Sequence, residues 1–159
     1  MEEVIIKKGG DVVKQFSVLL QNRVGSLGSI LALVRNIGED VIGFSMQDAK
    51  DATIVRMIVT DPDVVGQLFL EKGIPHTTCK MVVVALRESC TGMEKCLALL
   101  REAETNVDFA YSMLIHPEGL TLVAFHLDDY FFGAEVLRNA GISVMYQDCL
   151  LYTSDAADE

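Results

Sequence analysis

The chain predicts an α+β fold made of two copies of one βαββαβ unit. Three observations carry that reading. Short runs with alternating apolar residues are interleaved with stretches whose apolar residues recur at helical spacing. Glycine, proline and aspartate fall between those runs, where turns and caps belong. The second half then repeats the element order of the first, 66 to 68 residues further on.

In the first half, Phe16, Val18 and Leu20 alternate within residues 12–20 and predict a strand. Leu27, Ile30, Leu31, Val34 and Ile37 follow at offsets that draw one stripe on a helix, and Gly38 is placed to stop it. Val41–Gln47 and Thr53–Thr60 predict two strands around the polar turn "DAKD". In "TDPD", Pro62 suits the first turn of a helix, with Val64, Val65, Leu68 and Phe69 as its stripe and Gly73 as its end. A last strand begins near Pro75.

The second half reads the same way. Strand Met81–Arg87 precedes a helix over Gly92–Glu104, with Met93, Cys96, Leu97, Leu100 and Ala103 on one face. Strands Val107–Ile115 and Leu120–Leu127 flank "HPEG", and a helix over Asp129–Ala140 leads to a strand over Ser143–Leu151. A shift of 66 sets Leu27 on Met93, Leu31 on Leu97 and Val41 on Val107. A shift of 68 sets Asp61 on Asp129, Phe69 on Leu137, and "GI" at 73–74 on "GI" at 141–142. The slip of two falls in the hairpin between the central strands, where a loop accepts insertion.

A βαββαβ unit folds as an antiparallel sheet with both helices on one face, the ferredoxin-like arrangement. The expected boundaries are 12–80 and 81–152, with an acidic, flexible tail over 153–159, "TSDAADE". Units this small bury a limited core and leave strand edges and sheet faces to be covered, which predicts a homodimer.

Composition narrows the function. A net charge of −10 argues against nucleic acid or an anionic membrane as partner. No apolar stretch approaches the roughly 20 residues of a membrane helix, and the acidic start "MEEVII" does not read as a signal peptide, so the expected location is cytoplasmic. Cys79, Cys90, Cys96 and Cys149 form no C-x-x-C pair, and His76, His116 and His126 are scattered, so no metal or other cofactor is expected.

The stretch "NRVGSL", residues 22–27, joins the first strand to the first helix. Gly25 lets a ligand approach the backbone closely, and the amides at the helix start suit a carboxylate. Ser26 is placed to cap the helix, Asn22 to hold a polar end, and Asp48 or Asp108 to neutralise an ammonium. The same glycine and serine also suffice for a plain strand-to-helix turn. At a shift of 66 the second loop, "RESCTGMEK", has Thr91 opposite Gly25 and Gly92 opposite Ser26, which predicts weaker binding or none.

Residues 16–46, "FSVLLQNRVGSLGSILALVRNIGEDVIGFSM", resemble the opening of an ACT domain, in which a turn like N-R-P-G-x-L joins strand to helix. "IVRMIVTDPDVVGQLFLEKGI" resembles the second half of the domain, and residues 81–151 a second copy. The resemblance implies a non-catalytic regulatory protein that binds an amino acid at an interface between ACT units and controls an enzyme of amino-acid metabolism. It maps the motif glycine onto Gly25 and the following apolar residue onto Leu27, and it places Val24 where the family usually has proline. Tyr111 matches a tyrosine often found in tandem ACT proteins, and with Ser112 it is expected to face the first loop.

Weaker candidates read as structural. Glu102–Glu104 sit at a helix end, His126 within a strand, and Cys90 in a loop with no histidine nearby in sequence. A structural or interaction module is the competing function. A small enzyme on this fold lacks a convincing catalytic constellation.

Overall fold

The structure, a computed structural model, describes residues 10–21 and 23–150. Asn22 and the acidic tail lie outside the described residues. The elements run β1 (Val13–Gln21), α1 (Ser26–Asn36), β2 (Val41–Ala49), β3 (Ala52–Val59), α2 (Pro62–Glu71), β4 (His76–Leu86), α3 (Ser89–Glu102), β5 (Val107–Ser112), β6 (Thr121–Leu127), α4 (Tyr130–Asn139) and β7 (Ser143–Met145). They form two compact units. The first is Lys14–Cys79; the second comprises residues 80–150 together with residues 10–13.

In the first unit the strand order is β2-β3-β1-β4. Antiparallel ladders pair Phe16 with Met57 and Val18 with Val55. Those side chains share a core with Ile30 and Val34 of α1 and Val65, Leu68 and Phe69 of α2, so both helices cover one face of the sheet. Phe16 and Phe69 meet edge to face, with ring centres 5.3 Å apart, and His76 packs on both rings.

The second unit repeats the plan with the order β5-β6-β4-β7. Val82, Val84 and Leu86 of β4 and Val123, Phe125 and Leu127 of β6 pack against Cys96 and Leu100 of α3 and Leu137 of α4. Both units are ferredoxin-like. The duplication is visible in the backbone: α4 has the same length as α2 and starts 68 residues later. Both second helices end on the shared "GI", where Gly73 and Gly141 take φ of +67° and +88°. The Ile74 and Ile142 amides then close onto Phe69 and Leu137 carbonyls at 2.9 and 3.0 Å.

The sequence-based elements need several corrections. The strand near Pro75 and the strand at Met81 are one continuous strand, β4, because nothing in "HTTCKMVVVAL" breaks the extended backbone. β5 stops at Ser112, three residues short of the expected Ile115, and Met113 makes one further backbone bond to Leu122. β7 covers three residues, after which the backbone turns helical at 147–150. The helical stripes are narrower than expected. Ile37, Val64 and Leu97 are exposed, because a helix resting on a sheet buries only one arc of its circumference.

Candidate functional site

β1 ends at Gln21, and the chain turns sharply before α1. The Arg23 amide donates to the Gln21 carbonyl at 2.8 Å, and the Ser26 amide to the Arg23 carbonyl at 3.2 Å. Gly25 takes φ +89° and ψ −6°, the left-handed region that residues with a Cβ avoid. It occupies the N-cap position. Ser26 is therefore the first helical residue and not the cap expected of it: the turn closes one residue earlier on a glycine with no side chain to offer. The Gly25 carbonyl accepts the Ser29 amide and the Ser29 hydroxyl, each at 3.0 Å.

A Cβ built on Gly25 would meet nothing within 4 Å, so the backbone here is open to solvent. Val24 is fully exposed beside it. Leu27 turns inward against the first unit's core and anchors the turn. Leu27 therefore fixes the position of this end of α1 through packing.

The helix starts differ in a way that follows the duplication. Asp61 caps α2 by accepting from the Asp63 and Val64 amides, and Asp129 caps α4 by accepting from the Phe132 amide. The first helix of each unit has no such cap. α1 and α3 have neither a side-chain cap bond nor an acidic residue in the first turn. The positive end of α1 thus has no capping side chain and no acid in its first turn, at a turn where a glycine keeps the backbone accessible.

α3 departs from α1. It starts at Ser89, one turn earlier than the repeat predicts, so Thr91 and Gly92 lie inside the helix. Gly92 has a packing reason: a Cβ there would come within 3.0 to 3.2 Å of the Leu86 side chain. The glycine of the second loop lets α3 settle onto β4 and does not open a turn.

The other sequence candidates are dispersed. Asp48 is exposed near the end of β2, opposite Thr53. Asp108 is engaged by His126, whose Nδ1 lies 2.9 Å from Oδ2. Tyr111 and Ser112 lie on β5 of the second unit, opposite Ala124 and Val123, with Tyr111 half-buried and Ser112 exposed. Burial pushes the Cys79 and Cys96 thiols up, which keeps them protonated. None of the four cysteines is in a disulfide, and among the described residues no His, Cys, Asp and Glu cluster is arranged to hold a metal. Among the described residues no helix is long and apolar enough to cross a membrane.

Two surface recesses stand out. One, about 330 Å³, lies in the first unit beside Leu19, Ile54 and His76. The other, about 360 Å³, lies in the second unit beside Arg87, Thr91 and Lys95. Sequence reasoning missed the first, whereas the second is lined by Arg87, Glu88, Thr91, Gly92 and Lys95 of the loop "RESCTGMEK" together with residues far along the chain. Their lining residues come from β1, β3 and the start of β4 in the first unit, and from β4, α3 and the approach to β7 in the second. No linear motif records the first grouping, or the approach of Gly141–Ser143 to the second.

A family model described as an ACT domain pair matches residues 11–130. The chain belongs to the ACT domain pair family. Solved structures carry the same fold at low identity. A Bacteroides thetaiotaomicron protein superposes with a TM-score of 0.81 at 19% identity, over 89% of this chain and 97% of that one. The regulatory subunit of aspartate kinase from Thermus thermophilus, in its ligand-free form, gives 0.58 at 9% identity, over 84% and 95%. A structure of aspartokinase alpha and beta subunits gives 0.55 at 15% identity, over 80% and 90%. No curated protein matches the sequence. Within the ACT pair, the Gly25 turn is the strand-to-helix turn of the first domain, and Ser89 opens the corresponding helix of the second.

Proposed function

We propose that this ACT pair is a non-catalytic, cytoplasmic regulatory protein whose first unit binds an amino acid at the Gly25 turn. The carrying observation is the uncapped, acid-free start of α1 behind an open left-handed glycine. The Gly25–Gly28 backbone suits the ligand carboxylate, with Ser26 at the same helix start and Val24 beside it. Asn22, by its place in the turn, is assigned the ligand's polar end, and Tyr111 and Ser112 a contribution from the second ACT domain. Taking the domains as 12–80 and 81–152, binding acts by linkage: a ligand favouring one arrangement raises its population by the difference in affinity.

The reading extends to a homodimer, and to an enzyme of amino-acid metabolism as the controlled partner. Family membership supports it, as does the regulatory role that the Thermus thermophilus subunit carries in its own enzyme. A thermal-shift screen across the proteinogenic amino acids tests it. A ligand at about 100 times its Kd adds about 2.7 kcal/mol to stability. A melting point that no amino acid moves sinks the proposal and leaves a protein-interaction module as the reading.

A further inference from the structure

The two copies part company at their last strands. At a shift of 68, residues 145–150 fall on residues 77–82, which lie inside the unbroken strand β4. In the second unit β7 stops at Met145 and the backbone turns helical at 147–150. A βαββαβ unit does not call for that turn, and its groups are engaged on two sides.

Toward α4, Tyr146 packs into the core of the second unit and its hydroxyl accepts from Arg138 Nη1, while Arg138 Nη2 pairs with Glu135 at 2.6 Å. Toward the segment before β1, the Gln147 amide donates to the Asp11 carbonyl at 3.0 Å. Asp11 belongs to the same unit. The Cys149 and Leu150 amides close onto the Tyr146 carbonyl at 3.0 and 3.2 Å. Gln147 is buried, and Leu150 fully so.

Asp11 stands two residues before β1, which starts at the fully buried Val13. From Phe16 to Gln21 that strand is laddered to β3. Its far end enters the Gly25 turn, where the Gln21 carbonyl accepts the Arg23 amide. At about 3.3 Å per residue, β1 spans roughly 30 Å between the Gly25 turn and the segment that Gln147 holds. Rigid secondary elements of this kind carry coupling between distant sites.

We propose that residues 146–150 form a strap, closed in this structure, that fastens the segment leading into β1 to α4. Closed, the strap buries Leu150 and holds Asp11; open, it leaves the start of β1 without that hold. An amino acid that orders the Gly25 turn favours closure, a part that rests on the ligand reading above. By reciprocity, a broken strap weakens that binding.

Cys149, half-buried within the strap, reports its opening, and exposed Cys90 serves as internal reference. Iodoacetamide labelling of the full chain, followed by mass spectrometry, should modify Cys149 more slowly than Cys90. Gln147→Pro removes the amide that bonds Asp11, at a first helical position where proline fits. Tyr146→Phe removes the bond from Arg138 and keeps the ring in the core. Each should speed Cys149 about threefold to tenfold, the factor one hydrogen bond is worth, with the Cys90 rate unchanged. Cys149 as fast as Cys90 in the unaltered protein, or an unchanged Cys149 rate in both variants, would overturn the strap. A mixture of the proteinogenic amino acids should slow Cys149 and leave Cys90 alone. A melting point raised by that mixture with Cys149 unslowed would overturn the coupling and leave the Gly25 site standing. Faster Cys149 in the variants, in a protein whose melting point the mixture does not move, upholds the strap and sinks the amino-acid reading.

Discussion

His126 and Asp108 meet at a β-bulge that both units share. The imidazole Nδ1 lies 2.9 Å from Asp108 Oδ2, and the ring stacks on Phe109, 4.8 Å between centres and 4° from parallel. In the second unit the register slips between Val107 and Phe109, which sets Asp108 as the extra residue opposite His126. In the first unit it slips between Val41 and Gly43, so that Ile42 is the extra residue near Ile58. One copy fills this site with two buried isoleucines, and the other with a partly exposed hydrogen-bonded pair.

The pair makes a tautomer prediction. A carboxylate at Nδ1 accepts a proton, so neutral His126 should carry its hydrogen on Nδ1. Nitrogen-15 NMR of the imidazole above neutral pH should show that form. Asp108→Ala should return the ring to the Nε2–H form common in water. An Nε2–H tautomer in the unaltered protein would show that Asp108 does not hold the ring. The stability cost of Asp108→Ala should stay below about 1 kcal/mol, because both groups are partly solvated.

Gly25 tests the candidate site through backbone strain and ligand response together. Its φ of +89° should make Gly25→Val cost about 1–2 kcal/mol, read as a lower melting point, although the added side chain meets no atom. The amino-acid response should vanish in the same variant. A destabilised variant that keeps the full response would move the site away from this turn.

The caps predict a contrast between the helices. Asp61→Ala and Asp129→Ala should each lose about 1 kcal/mol in denaturant unfolding, since each carboxylate accepts amides at a helix start. Glu88→Ala should change stability by less than about 0.5 kcal/mol, because Glu88 makes no cap bond. Equal losses at all three would mean that charge near the helix end matters and cap geometry does not.

Gly133 is held small by the core. A Cβ there would sit 2.3 Å from Leu127 Cδ1. Leu127 is buried and has little room to turn away. Gly133→Ala gains roughly 1 kcal/mol in helix propensity and loses roughly 1–3 kcal/mol to overpacking, so a net loss is expected. A higher melting point would show that Leu127 can repack.

Thiol chemistry gives a pH prediction with a definite sign. Burial raises Cys79 and Cys96, so at mildly alkaline pH both should react with iodoacetamide more slowly than exposed Cys90, as mass spectrometry can follow. A raised folded value means that the unfolded chain releases its thiol protons first. The associated stability is fully present below the ordinary thiol range and is lost as pH rises through it toward the folded value. Alkylation of Cys96 as fast as Cys90 would mean that α3 opens readily.

The two halves of the chain also show how far a linear pattern reaches. By itself the sequence determined the duplication and the element order, because alternation and helical spacing report which side of a backbone must face the core. It also determined the helix ends at "TDPD" and "GI", since capping and left-handed glycine are local chemistry. Only the tertiary structure decided that β4 runs unbroken and that α3 starts a turn early, because sheet pairing and packing override a local loop signal. Gly25 and Gly92 fall one position apart in the repeat alignment. Packing separates them: one faces solvent with a left-handed backbone, and the other makes room for Leu86. That Gly141–Ser143 lie beside the start of α3 was equally hidden, because it depends on which elements the fold brings side by side.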